Sequence, residues 1–159
     1  MRVGEIVDDF ELPDQTGRAR RLSSMLQDRA VVLFFFPAAL QPLCVAEACS
    51  FRDMSTEFAL LQAQAVGISA DPVPRQAKFA TRHSLGYPLL SDVDGSVRAR
   101  FHVNREYVPS FAPKMAKYRR NTFIIGTDGR VLDVIKSEIR VSVHAELALQ
   151  FLRHRAGHP

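Results

Sequence analysis

The sequence predicts an α/β fold: a central mixed β-sheet flanked by helices, with an N-terminal β-hairpin. Three observations predict it. Ala30 to Phe36 is a continuous apolar run rich in β-branched and aromatic residues, which marks a strand buried on both faces. Ala65-Val66-Gly67-Ile68-Ser69 reads as a second core strand, one helical segment later. Strands and helices then alternate until a hairpin and a last helix close the chain.

The elements follow in order. Phe10-Glu11-Leu12-Pro13 alternates, Asp14-Gln15-Thr16-Gly17 turns, and Arg20-Arg21-Leu22 returns, giving the opening hairpin. Ser23 or Ser24 is placed to cap a short helix ending near Asp28. Pro37 ends the central strand, and Pro42 suits the first position of a helix. Cys44, Ala48, Phe51, Phe58 and Leu61 then share one helical face, so one helix is expected to run to Gln62–Gln64. Asp71-Pro72 opens a helix reaching His83, Tyr87 to Leu90 is a short strand, and Asp94-Gly95 starts a helix ending near Phe101. Asn104 to Lys117 has two prolines and no period, and reads as a loop. Asn121 to Ile125 and Arg130 to Lys136 flank Thr127-Asp128-Gly129 as a hairpin, and His144 to Arg155 is the closing helix.

The length of 159 residues fits one domain over 1–159, and 47% apolar residues supply its core. The longest apolar run, Ala30 to Leu40, contains Pro37 and is too short to cross a bilayer. The N-terminus lacks an apolar signal segment. A cytoplasmic protein without a membrane role is expected. The net charge of +4 is scattered apart from a cluster at Lys114 to Arg120. Neither a zinc-finger spacing nor an aromatic RNA-binding signature accompanies it, so a solvated basic loop and no nucleic-acid partner are expected.

The chemistry concentrates where the central strand runs into a loop and a helix start, at Phe36 to Cys44. Loops beyond the C-terminal ends of sheet strands are common ligand sites. A helix start offers free N–H groups and partial positive charge. A cysteine in that first turn is expected to have a pKa below the free value of about 8.5. A neighbouring arginine would lower it further. Two other readings stand beside this one. Cys44 could be an inert core thiol. A zinc site would need a different ligand spacing than Cys44 and Cys49 offer, and the five histidines are scattered, which reads as structural or solvated.

The run Phe36 to Asp53 resembles the active-site segment of the peroxiredoxins, and within them the PrxQ, or bacterioferritin comigratory protein, group. That group carries Pro-x-x-x-Thr-x-x-Cys and a Glu-Ala-Cys-x-Phe-Arg-Asp continuation. Here Pro37, Cys44, and Glu47-Ala48-Cys49-Ser50-Phe51-Arg52-Asp53 stand in that pattern. Phe10 to Gly17, Val66 to Asp71, Tyr87 to Asp92 and Arg120 to Ile125 resemble further landmarks in the same order.

The resemblance implies a thioredoxin-like fold and a thiol-dependent peroxidase that acts on hydrogen peroxide and organic hydroperoxides. It implies Cys44 as peroxidatic cysteine and Cys49 as resolving cysteine. Arg120 would be the activating cation, with Arg119 the alternative if the alignment shifts by one. Pro37 would shield the substrate site, Glu47 would orient the arginine, and Gln41 stands where the group has its peroxide-binding threonine. For Glu47 the simpler reading is a favourable first-turn acid. Thioredoxin, or a similar dithiol reductant, would recycle a monomeric enzyme without cofactor or metal.

Two residues depart from the pattern. Gln41 is not a preferred helix cap, so the helix start is expected to melt easily. Leu43 replaces a usual glycine and makes the approach apolar. Sulfenic acid formation at Cys44 would be followed by condensation with Cys49. Five residues along an ideal helix separate Cα atoms by about 8.6 Å, whereas disulfides need less than about 7 Å. The reduced state is therefore expected to be helical over 42–50 and the oxidised state locally melted. The competing functions are a non-catalytic interaction module on this fold, motivated by Gln41, and a disulfide oxidoreductase, which would want Cys-x-x-Cys.

Overall fold

The computed structural model describes residues 1–105, 107–113 and 117–157. Glu11–Pro13 (β1) and Ala19–Arg21 (β2) form the antiparallel hairpin, followed by Leu22–Met25 (α1) and Ala30–Phe35 (β3). Then come Pro42–Asp53 (α2), Ser55–Leu60 (α3), Ala63–Ser69 (β4), Val73–His83 (α4), Leu89–Ser91 (β5) and Ser96–Arg100 (α5). Asn121–Ile125 (β6), Val131–Lys136 (β7) and Ser142–Arg155 (α6) complete the fold. The main sheet has the order β5-β4-β3-β6-β7. β4 runs parallel to β3 and β5, while β6 is antiparallel to β3 and β7, so the sheet is mixed.

Side chains alternate across a strand, and β3 shows why its sequence is apolar throughout. Val32 and Phe34 pack with α2, α3, α4 and α6 on one face. Val31, Leu33 and Phe35 pack on the other with Leu22, Val97, Phe101 and Phe123. Phe34 stacks on Phe51 of α2 at 4.3 Å between ring centroids, which fixes that helix against the sheet.

Two local expectations are corrected. The long helix from Pro42 breaks at Met54 (φ −101°, ψ 7°) into α2 and α3. The break lets Phe58 stay stacked near Phe51 while the chain turns into β4. The serines do not cap α1. Its N-cap is Arg21, and the N–H and hydroxyl of Ser23 donate instead to the Asp9 carboxylate at 2.9 and 2.8 Å. The stretch between α5 and β6 is irregular among its described residues, apart from a bridge between Asn104 and Tyr118. Of the basic cluster at Lys114 to Arg120, residues 114–116 lie outside the described residues. Among the described residues, no helix is long and apolar enough to cross a membrane.

Candidate active site

Three strand ends converge on one loop. β3 ends at Phe35 and hands the chain to residues 36–41, which lead into α2. β4 is parallel to β3, so Asp71, just beyond its end, arrives at the same edge. β6 is antiparallel to β3, with Asn121 opposite Phe35, so Arg120 just before it arrives there too. Sheet topology thus assembles residues that are far apart in sequence.

Gln41 is the N-cap of α2 and Pro42 occupies the first turn. The Gln41 side chain accepts the Cys44 backbone N–H at 3.0 Å. This corrects the expectation of a poorly capped helix: glutamine reaches the donor that a shorter side chain usually satisfies. Before it, Leu40 holds a left-handed backbone (φ 68°), a costly conformation for a branched residue. Pro37 stands half-buried at the bend after β3, and Leu43 is 39% exposed beside the buried cysteine.

Cys44 is fully buried, and its Sγ receives Arg120 Nη1 at 3.3 Å and the backbone N–H of Ala38. The same Nη1 donates to Glu47 Oε1 at 3.4 Å. Arg119 is exposed, and its N–H donates to the Val103 carbonyl, so Arg120 is the arginine that meets the sulfur. Glu47 is 0% exposed and lies beyond the first turn of α2, which corrects the reading of a favourable first-turn acid.

Burial and charge compete here. Burial pushes the Cys44 thiol up, and this outweighs the pull of Arg120 and Ala38. The expected depressed thiol pKa is therefore not what the closed site gives, because desolvation penalises the anion more than one shared cation repays. Burial also pushes Glu47 up to about 8 despite Arg120.

Sequence reasoning missed three supports. His144 is fully buried, the structural rather than the solvated of the two readings its scatter allowed, but its place beside Glu47 was not foreseen. Its Nε2 donates to the Ser137 carbonyl at 2.8 Å, its Nδ1 meets the Thr122 hydroxyl at 2.7 Å, and Nε2 lies 3.6 Å from Glu47 Oε2. Burial holds its pKa below the usual histidine value. Asp71 was expected only to open a helix. Its Oδ2 accepts the Ala39 N–H at 2.7 Å, while Arg75, paired with Asp71 at 3.0 Å, donates to the Ala39 carbonyl. Tyr87 donates its hydroxyl to the Ala48 carbonyl of α2 at 2.6 Å. Only an acid before a proline hinted at the second of these. The others join residues with no sequence pattern between them.

Against known proteins, the sequence model of the AhpC/TSA family matches residues 3–134. The chain is a peroxiredoxin of the AhpC/TSA family. Peroxiredoxin Bcp of Escherichia coli K12 is 32% identical over 157 residues, 98% of each chain. The crystal structure of peroxidoxin BcpB from Mycobacterium tuberculosis is 53% identical, superposes with a TM-score of 0.88 and covers 97% of each chain. A cysteine-to-serine mutant of Xylella fastidiosa PrxQ is 25% identical, with a TM-score of 0.89 over 98% of each chain. This peroxiredoxin is thus a thiol peroxidase of the Bcp and PrxQ group with the thioredoxin-like fold. Both cysteines of the peroxiredoxin are free thiols, Cys44 buried and Cys49 partly exposed on an intact α2. Among its described residues, no group of three or more His, Cys, Asp or Glu side chains is placed to hold a metal ion.

Proposed function

We propose that this peroxiredoxin reduces hydrogen peroxide and organic hydroperoxides through Cys44 as attacking thiolate and Cys49 as resolving thiol. A single observation carries the reading: Cys44 Sγ sits in the first turn of a capped helix, 3.3 Å from a buried guanidinium. Helix start, Ala38 N–H and Arg120 all favour negative charge on that sulfur. A polar peroxide entering the closed site relieves part of the desolvation that holds the thiol up, while Arg120 keeps its pull. Arg120 also stabilises charge developing on the peroxide oxygens. Gln41 spends its oxygen on the cap, which leaves the amide N–H groups for the substrate. Pro37 walls the site, and Glu47 shares Arg120 with the sulfur.

Attack on the terminal peroxide oxygen leaves Cys44 as sulfenic acid. Cys49 then displaces water from it, forming an intramolecular disulfide. On intact α2 the two residues are too far apart, so the first turns must unwind. That breaks the Gln41 cap and the Tyr87–Ala48 hydrogen bond. Thioredoxin or a similar dithiol then reduces the bond. The enzyme works as a cytoplasmic monomer with one domain over 1–159 and no cofactor.

The test is mass spectrometry after one equivalent of peroxide. Wild type should pass through sulfenic acid to a 44–49 disulfide. Cys49→Ser should stop at sulfenic acid, and Cys44→Ser should leave the peroxide unconsumed. Wild-type rates in Cys44→Ser would end the assignment. A second reading, a weakened interaction module, is favoured by the upward shift of the Cys44 thiol. It would show as no peroxide consumption by wild type, with Cys44 alkylated only at alkaline pH.

A further inference from the structure

The proposed peroxide step has an unassigned proton. The thiol must lose one, and the oxygen that leaves must gain one. Glu47 is the buried acid beside both events. It is fully buried on α2 one turn from Cys44, and its Oε1 shares Arg120 Nη1 with the sulfur. Its Oε2 has no hydrogen-bond partner among the described residues, nor has Arg120 Nε.

The groups facing Glu47 limit what can exchange a proton with it. Cys44 and Arg120 are described above. His144, from α6, lies 3.6 Å from Oε2, but its Nε2 proton is committed to the Ser137 carbonyl. With Nδ1 on the Thr122 hydroxyl, the ring is neutral and fully occupied. Glu138, between β7 and α6, adds negative charge and accepts the Arg120 backbone N–H. Tyr87 donates its hydroxyl hydrogen bond to the Ala48 carbonyl and keeps its proton. The thiol is therefore the acid left to exchange with this carboxyl.

Charge counting gives the same result. A buried guanidinium neutralises one anion, and a second would stay uncompensated at high cost. Sulfur and carboxyl therefore hold at most one negative charge between them. Thiol with carboxylate and thiolate with carboxylic acid differ only in where the proton sits. Burial has moved both groups upward, with Glu47 reaching about 8. A carboxylate raised this far is a stronger base toward a thiol than an ordinary one.

Resting on Cys44 as nucleophile, we propose that Glu47 is the proton carrier of the peroxide step. It takes the thiol proton of Cys44 and returns it to the leaving oxygen. The thiolate attacks the terminal oxygen, forming the S–O bond as the O–O bond breaks. The leaving alkoxide or hydroxide takes the Glu47 proton and departs as alcohol or water. Cys44 is oxidised, the peroxide is reduced, and Glu47 ends as carboxylate beside Arg120.

The test uses leaving groups that differ in their need for a proton. Alkyl hydroperoxides release a basic alkoxide, whereas peracetic acid releases acetate, a stable anion. Glu47→Gln keeps shape and an acceptor for Arg120 but cannot carry the proton. It should slow sulfenic acid formation with tert-butyl hydroperoxide about a hundredfold and slow the reaction with peracetic acid, which still needs the thiol proton removed but none returned, roughly tenfold less. Equal slowing with both peroxides would make Glu47 only an anchor for Arg120 and overturn the proposal, as would no slowing with either. A wild-type series of hydroperoxides keeps the test independent of folding in the variant: shallow dependence on leaving-alcohol basicity supports an internal acid, and steep dependence refutes it. If Cys44 were not the nucleophile, Cys44→Ser would match wild type with every peroxide, a distinct outcome.

Discussion

Replacing Tyr87 with phenylalanine tests whether α2 must unwind for the disulfide to close. The Tyr87 hydroxyl spans from the segment before β5 to the Ala48 carbonyl, one residue before Cys49. It touches the helix only while the helix is formed. The ring packs beside Phe34, with centroids 5.8 Å apart, and phenylalanine keeps that contact. One neutral buried hydrogen bond contributes about 1 kcal/mol net, with a range of about 0.5–1.5. Its removal should ease unwinding and speed disulfide formation about fivefold, within about two- to tenfold. The peroxide step should not change, because Cys44, Arg120 and Glu47 keep their contacts. The chain has no tryptophan, so rapid quench with alkylation and mass spectrometry is the suitable readout. An unchanged or slower closure, with the variant otherwise folded, would refute the claim that this part of α2 opens.

Asp71→Asn should loosen the loop that aims the Ala38 N–H at the sulfur. Stability in urea should fall by about 1–3 kcal/mol, and the pH profile of Cys44 alkylation should move upward. Asp14 is buried, which alone would raise its pKa, but hydrogen bonds from Thr16, Arg20 and Arg18 hold it below the usual carboxylate value. Its folded pKa is the lower one, so its stabilisation is complete above the unfolded value of about 3.9. It is lost as pH falls through the folded pKa. Asp14→Asn should therefore lower the urea midpoint at pH 7 and differ much less from wild type in strong acid. Gly67→Ala would place a methyl 2.8 Å from Leu89 Cδ2 and 3.0 Å from Phe34 Cζ. This crowding should cost about 1–3 kcal/mol, read as a lower thermal midpoint with the peroxide step retained.

Local patterning made much of the fold legible in the sequence. A β-branched and aromatic apolar run favours a strand covered on both faces, as β3 is, and Pro42 suits the first position of a helix. The cysteine in the first turn and the order of landmarks were likewise readable from neighbouring residues. The exchange of a capping threonine for Gln41 misled, because reach, not residue class, decides whether a donor is satisfied. Tertiary structure decided between Arg120, which the resemblance implies, and Arg119, since an antiparallel register sets which side chain points inward. It also brought Asp71 to Ala39 and His144 to Glu47, pairings between distant segments. The thiol's upward shift belongs here too: desolvation depends on everything packed around an atom, and no stretch of sequence contains that information.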